Sequence, residues 1–105
     1  MIARMFHGWT ARADAGAYEA EFRTVVLEHL RQVDGFVKAD LLRRDAGDEV
    51  EFVSITWFRS LEAIRAFAGD DLDKAVISAG AAEVFTRYDE RVQHYEVALS
   101  ADAAD

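Results

Sequence analysis

The sequence predicts a single α+β domain with the element order βαββαβ. Three observations lead there. Two β-rich runs, residues 2–10 and 50–58, carry apolar side chains on both parities, as central strands do. A one-sided helical stripe follows the first of them. The stretch FVSITWFRSLEAIRAFAGDD, Phe52 to Asp71, then changes hydrophobic period part-way. Its first seven residues are an unbroken β-rich run. From Ser60 onward Leu61, Ile64, Phe67 and Ala68 recur at helical spacing, so a buried strand feeds directly into an amphipathic helix.

Taken in order, residues 2–10 form the first strand, with Ala3, Met5, His7 and Trp9 on one side and Ile2, Arg4, Phe6, Gly8 and Thr10 on the other. Residues 13–16 link it to a helix over residues 15–32, with Asp14 as expected N-cap. Phe22, Val26, Leu30 and Val33 make the buried stripe of that helix, with Tyr18 and Val25 beside it. Asp34-Gly35 ends it. Residues 36–44 are the second strand, and Asp45-Ala46-Gly47-Asp48 is a hairpin connection to the third strand over residues 50–58. Ser60 is the expected N-cap of the second helix, and Glu62 complements its dipole. Gly69-Asp70-Asp71 breaks that helix. Two more helical pieces are expected at 72–77 and 79–88, then a last strand at 92–99. The domain is taken as residues 1–99, with 100–105 a flexible acidic tail.

This order is the ferredoxin-like split unit, an antiparallel sheet with its helices on one face. Strands one and three sit in the centre. Their second apolar face would stay open in a monomer, so a homodimer packing sheet against sheet is expected, a dimeric α+β barrel.

Composition excludes several classes of function. The 105 residues carry 20 acidic and 12 basic side chains, a net charge of −8, so neither nucleic acid nor an anionic membrane is an expected partner. No apolar run approaches the ~18 residues of a membrane span. Cysteine is absent, which removes disulfides, thiolate nucleophiles and cysteine-based metal sites, and fits a cytoplasmic location. His7, His29 and His94 lie on different elements and form no metal-ligand spacing, so no metal is expected. No phosphate loop or serine elbow occurs.

The opening IARMFHGWT, the DGF after the first helix, EFVSITWFRSLEAIRAFAGDD and the closing VQHYEV resemble the antibiotic biosynthesis monooxygenase family. Within it the chain is similar to small bacterial proteins with a WF-x-S-x-E-A-x-x-x-FAG-x-D segment. The resemblance implies a dimeric α+β barrel with a pocket between sheet and helices in each protomer. Some members of the family oxidise aromatic polyketide substrates with O₂ and no flavin or metal, others bind haem and degrade it oxidatively, and many have no demonstrated activity. For the haem-degrading branch, the resemblance puts Phe58 where a tryptophan is required and Ile77 where a histidine ligates iron, with His7 at an asparagine position. Haem degradation is therefore not expected, and no cofactor is assigned. Trp57, one step from Phe58, should face the dimer side.

A cofactor-independent monooxygenase acting on a small aromatic or polyketide-like substrate must deprotonate it, orient it and exclude water. His7 is the candidate for proton transfer, with His94 or Tyr95, one of the two, as a second group reaching the pocket. Met5, Phe52, Phe58, Ile64 and Phe67 are expected as apolar walls, and Ser54 and Thr56 as orienting hydroxyls. The alternative is a non-catalytic dimer of the same fold that binds a small ligand or serves in a stress response.

Overall fold

The computed structural model describes residues 1–104. Strand β1 (Ile2–Ala11) leads through a 3₁₀ turn at Arg12–Asp14 into α1 (Ala15–Glu21). A π-helical turn at Phe22–Val26 joins α1 to α2 (Leu27–Arg31). β2 (Phe36–Ala46) and β3 (Glu49–Phe58) form a hairpin, α3 (Leu61–Ala68) follows, and α4 (Ala79–Val84) runs into the short strands β4 (Phe85–Tyr88) and β5 (Gln93–Glu96). The strand order is β2-β3-β1-β4, with β5 also paired to β1, and all pairings are antiparallel. The architecture is α+β and ferredoxin-like, with β1 and β3 in the middle of the sheet.

The local chemistry follows the sequence at several points. Ser60 has an extended backbone and its hydroxyl accepts the Ala63 N–H, so it caps α3. Ser78 does the same for α4 through Ala81. Gly47, at φ 68°, supplies the left-handed residue of the β2–β3 turn.

Four expectations are corrected. Asp14 makes no side-chain cap bond, because residues 12–14 already wind as a 3₁₀ turn and its backbone is helical (φ −101°, ψ −1°), unlike a true N-cap. Residues 72–77 are not helical: Ala75 N–H donates to Glu90 O and Val92 N–H to Asp73 O, so this backbone pairs with the chain entering β5. The last helix ends at Val84, and Phe85–Tyr88 is a strand. Its ring contacts decide this, with Phe85 4.6 Å from Tyr18 and 5.8 Å from Phe6 between ring centres. Gly8 makes room for it, since a Cβ there would stand 2.5 Å from the Phe85 ring. The final strand is shorter than expected, Gln93–Glu96, and beyond it the described chain adds no helix or strand. Of the tail at 100–105, residue 105 lies outside the described residues.

The π turn has a geometric reason. Tyr18, Phe22, Val26 and Leu30 follow one another at a spacing of four. On an ideal α-helix that spacing drifts by roughly 40° per step, because 3.6 residues make a turn. The wider turn at Phe22–Val26 takes up the drift, and all four side chains line the same cleft.

Two clusters form the core between sheet and helices. One joins Tyr18, Phe22, Val50 and Phe52, and the other Leu30, Phe58, Ala63 and Ile64. The opposite face of the sheet carries no helix. Register sets its members: His7 pairs with Val53, Met5 with Ile55, Ala3 with Trp57, and Leu42 with Val53. Trp57 is therefore on the open face, where Lys38 sits 4.3 Å over its ring.

Candidate functional site

Between the helices and the inner face of the sheet lies a narrow cavity of about 40 Å³. On a water-sized scale that is room for about three water molecules. β1 contributes Arg4 and Phe6, and β3 contributes Ser54 and Thr56. The first helix supplies Tyr18, Phe22, Val26 and Leu30, and α3 supplies Phe67. The irregular segment after α3 closes it with Val76, Ile77 and Ser78. The walls are mostly apolar and aromatic, with a few polar groups set among them, the usual make-up of a small-molecule site.

Those polar groups are unusual in having so few partners. Tyr18, Ser54 and Thr56 are all buried, yet none of their hydroxyls has a hydrogen bond to another described residue. Burial pushes the Tyr18 phenol well above its ordinary pKa, so it stays a neutral donor. Among the described residues no side-chain nitrogen or oxygen that is itself fully buried lacks a partner, so these hydroxyl oxygens open onto the cavity, where a water or ligand oxygen can pair with them.

Arg4 is the charged member, and only 4% of it is exposed. Its Nη1 donates to Leu72 O at 2.6 Å and its Nη2 to Lys74 O at 2.8 Å. Nη1 also lies 2.9 Å from His94 Nε2. A guanidinium only donates, so Nε2 accepts and the imidazole carries its proton on Nδ1, which donates to Asp73 Oδ1 at 3.0 Å. The result is a chain from Asp73 through His94 to Arg4. Burial pulls the Arg4 pKa down to about 10, with Asp73 partly opposing. Burial also holds the His94 pKa below its ordinary value; the bond to Asp73 opposes this and the Arg4 charge adds to it.

Of the residues singled out from sequence, Ser54, Thr56 and Phe67 line the cavity. Phe52, Phe58 and Ile64 lie on the same side of the sheet but are packed into the core beneath it. His7 and Met5 are on the other face: in an antiparallel ladder directly paired residues share a face, and they pair with Val53 and Ile55. His7 instead stands 3.9 Å from Glu51 and 3.8 Å from Asp89. Between His94 and Tyr95, register is decisive. His94 pairs with Arg4 on the helix side, and Tyr95 pairs with Ala3 on the open face. Ile77 does line the cavity, but its side chain ligates no metal.

Arg4 and Tyr18 were missed as site residues. The signal for Arg4 was present, since it is the one charge among Ile2, Arg4, Phe6, Gly8 and Thr10. Tyr18 continues the spacing of four that joins Phe22, Val26 and Leu30.

The residues do not fit a haem. Phe58 and Ile77 offer no ligand, both ring nitrogens of His94 are engaged, and the cavity is far smaller than a porphyrin. Among the described residues no cluster of three metal-ligating side chains occurs. No helix among them is long and apolar enough to cross a membrane.

Residues 1–78 match the family model described as antibiotic biosynthesis monooxygenase. No curated protein matches the chain in sequence. Among solved structures the chain is similar to a Bacillus cereus protein assigned to the same family, with 16% identity over 97% of this chain and 95% of that one and a TM-score of 0.66. It is also similar to SnoaB from Streptomyces nogalater, a cofactor-independent oxygenase, at 17% identity over 99% and 98% of the chains and a TM-score of 0.60. The third is the heme-degrader MhuD from Mycobacterium tuberculosis with two hemes in its active site, at 25% identity over 97% and 100% and a TM-score of 0.59.

Proposed function

The chain belongs to the antibiotic biosynthesis monooxygenase family, and from that premise we propose that it is a cofactor-independent oxygenase acting on a small aromatic substrate in the cleft between sheet and helices. The observation that carries this reading is the set of hydroxyls of Tyr18, Ser54 and Thr56, which lack protein partners and open onto one aromatic-walled cavity. They suit the oxygens of a phenolic ring. In such chemistry the substrate anion supplies the electrons. A methylene beside a phenol becomes a carbonyl, one oxygen atom enters the product, and the other leaves as water with the two substrate hydrogens. No external reductant is needed. The protein's part is to orient the ring, favour its ionised form and exclude bulk water.

His94 is the histidine hydrogen-bonded to a charged residue of the cavity wall, and in this reading it acts through Arg4 as a positioning residue. His7 is not assigned to proton transfer. The acting unit is residues 1–99, paired as a homodimer through the open sheet face, and a cytoplasmic location accords with the cysteine-free sequence.

Oxygen uptake with anthrone- and quinol-type substrates tests the reading. Uptake that falls at least tenfold in Ser54→Ala and Thr56→Val, with the fold intact by circular dichroism, is the expected result. No uptake across the panel, or uptake unchanged in both variants, overturns it. The second reading, a ligand-binding dimer without turnover, is favoured by the small cavity, which takes an aromatic ring only when residues 72–78 move outward. Binding of the same compounds without oxygen uptake is its signature.

A further inference from the structure

We propose that the cleft selects an anion, a planar molecule no larger than a single ring, whose negatively charged oxygen is held by Arg4. This rests on the reading of the cleft as a ligand site and adds the charge and size of what it takes. The first observation is electrostatic. Arg4 is nine-tenths buried, lines the cavity, and has no carboxylate within ion-pair distance among the described residues. Asp73 is hydrogen-bonded to it only through His94, and its charge acts on Arg4 from beyond ion-pair distance. A buried cation without a direct counter-charge is costly, and an incoming anion removes that cost.

The second observation is the donor count. A guanidinium has five N–H groups. Three are used, two from Nη1 towards Leu72 O and His94 Nε2 and one from Nη2 to Lys74 O. The Nε–H and the remaining Nη2–H have no acceptor among the described residues. The Nε–H stands on the Nε/Nη2 edge of the plane, an edge a carboxylate or phenolate oxygen engages. The groups holding Arg4 are two neutral carbonyls and a neutral imidazole, so they fix its position without spending its charge.

The third observation is the surroundings. The Phe67 ring lies 5.6 Å from the guanidinium carbon, and Phe6, Phe22 and Phe85 line the remainder of the cavity. An anionic head at Arg4 therefore leaves an apolar ring body among aromatic walls, with Ser54 and Thr56 beside it. In a chain of net charge −8 this buried site is an exception to the overall field, so attraction to it is local.

The experiment compares benzoate with benzamide, near-isosteres differing in charge, by chemical-shift titration of the full chain. Benzoate is expected to bind on the order of 10–100-fold more tightly, the span a charge-assisted hydrogen bond supplies. Shifts should centre on Ser54, Thr56 and Phe67. Arg4→Met should abolish the preference, and Arg4→Lys should keep part of it because the charge survives while the fork is lost. The ratio of the two affinities is the readout, so a general loosening of the cleft in Arg4→Met does not imitate the result. Equal affinities in the natural protein, or an unchanged ratio in Arg4→Met, overturn anion selection while leaving the cleft as a binding site. Binding of neither compound, or shifts confined to residues outside the cleft, overturns the ligand-site reading and this inference with it.

Discussion

On one face of β3, Phe52, Ser54, Thr56 and Phe58 are sealed beneath the helices; on the other, Val53, Ile55 and Trp57 stay half-exposed. The two sets alternate along one strand, and the outer one is wholly apolar while the inner one includes two hydroxyls. What separates them is the covering layer. The inner face closes around a cavity that holds polar groups in an apolar setting. The outer face presents Leu42, Met5, Val53 and Ile55 as an apolar centre, bordered by Lys38, Arg44, Glu51 and Arg87. An apolar centre with a charged rim is the composition of an interface, whereas aromatic walls around unpartnered hydroxyls are the composition of a pocket.

The largest test of this contrast is to truncate an aromatic ring on each face. Phe58→Ala removes a fully buried ring packed on Phe36 and Phe67 and should cost about 3–5 kcal/mol in chemical denaturation. Trp57→Ala, one residue away, should cost clearly less when measured on the monomer. Equal losses would erase the distinction between the faces. Next, Val53→Asp places a charge in the apolar centre of the outer face. Sedimentation should show the dimer dissociated into folded monomers, while a monomeric natural protein would refute the interface. A smaller effect is expected at Ser60→Ala, which removes the α3 cap that closes the inner face and should cost about 1 kcal/mol.

The smallest effect concerns pH. The folded His94 imidazole has a lowered pKa, so the unfolded chain binds that proton more readily. Its contribution to stability is present above the ordinary imidazole value, near ~6.5, and is lost as pH falls below it towards the folded value. In His94→Gln, denaturation midpoints should vary less with pH across that window. An unchanged profile would remove His94 from the inner face's electrostatics.

Much of the inner architecture was legible in the sequence. The central position of β1 and β3, the hairpin at Gly47 and the cap at Ser60 each follow from local pattern. Parity divided the side chains of each strand into two sets, but both sets were apolar, so parity could not say which set the helices cover. The pairing of Met5 with Ile55 resolves that, and it is a property of two strands 50 residues apart. His7 and Arg4 fell on their respective sides for the same reason. Phe85–Tyr88 was read as helix because its neighbours are helix formers. Its strand depends on a ring fitting over Gly8, a long-range contact that propensity does not register.

The π turn at Phe22–Val26 has a consequence for how this cleft can change over evolutionary time. It amounts to one residue more than an α-helix would need between α1 and α2. Deleting one exposed position there, such as Thr24, would restore the regular winding, and because the wider turn already absorbs the extra residue, Leu27–Arg31 would keep nearly the same facing relative to α1. Leu30 would stay in the cavity wall, and only the bulged turn would be lost. A single codon gained or lost there thus works like slack in a rope, taken up at the turn while the floor of the cleft keeps its residues.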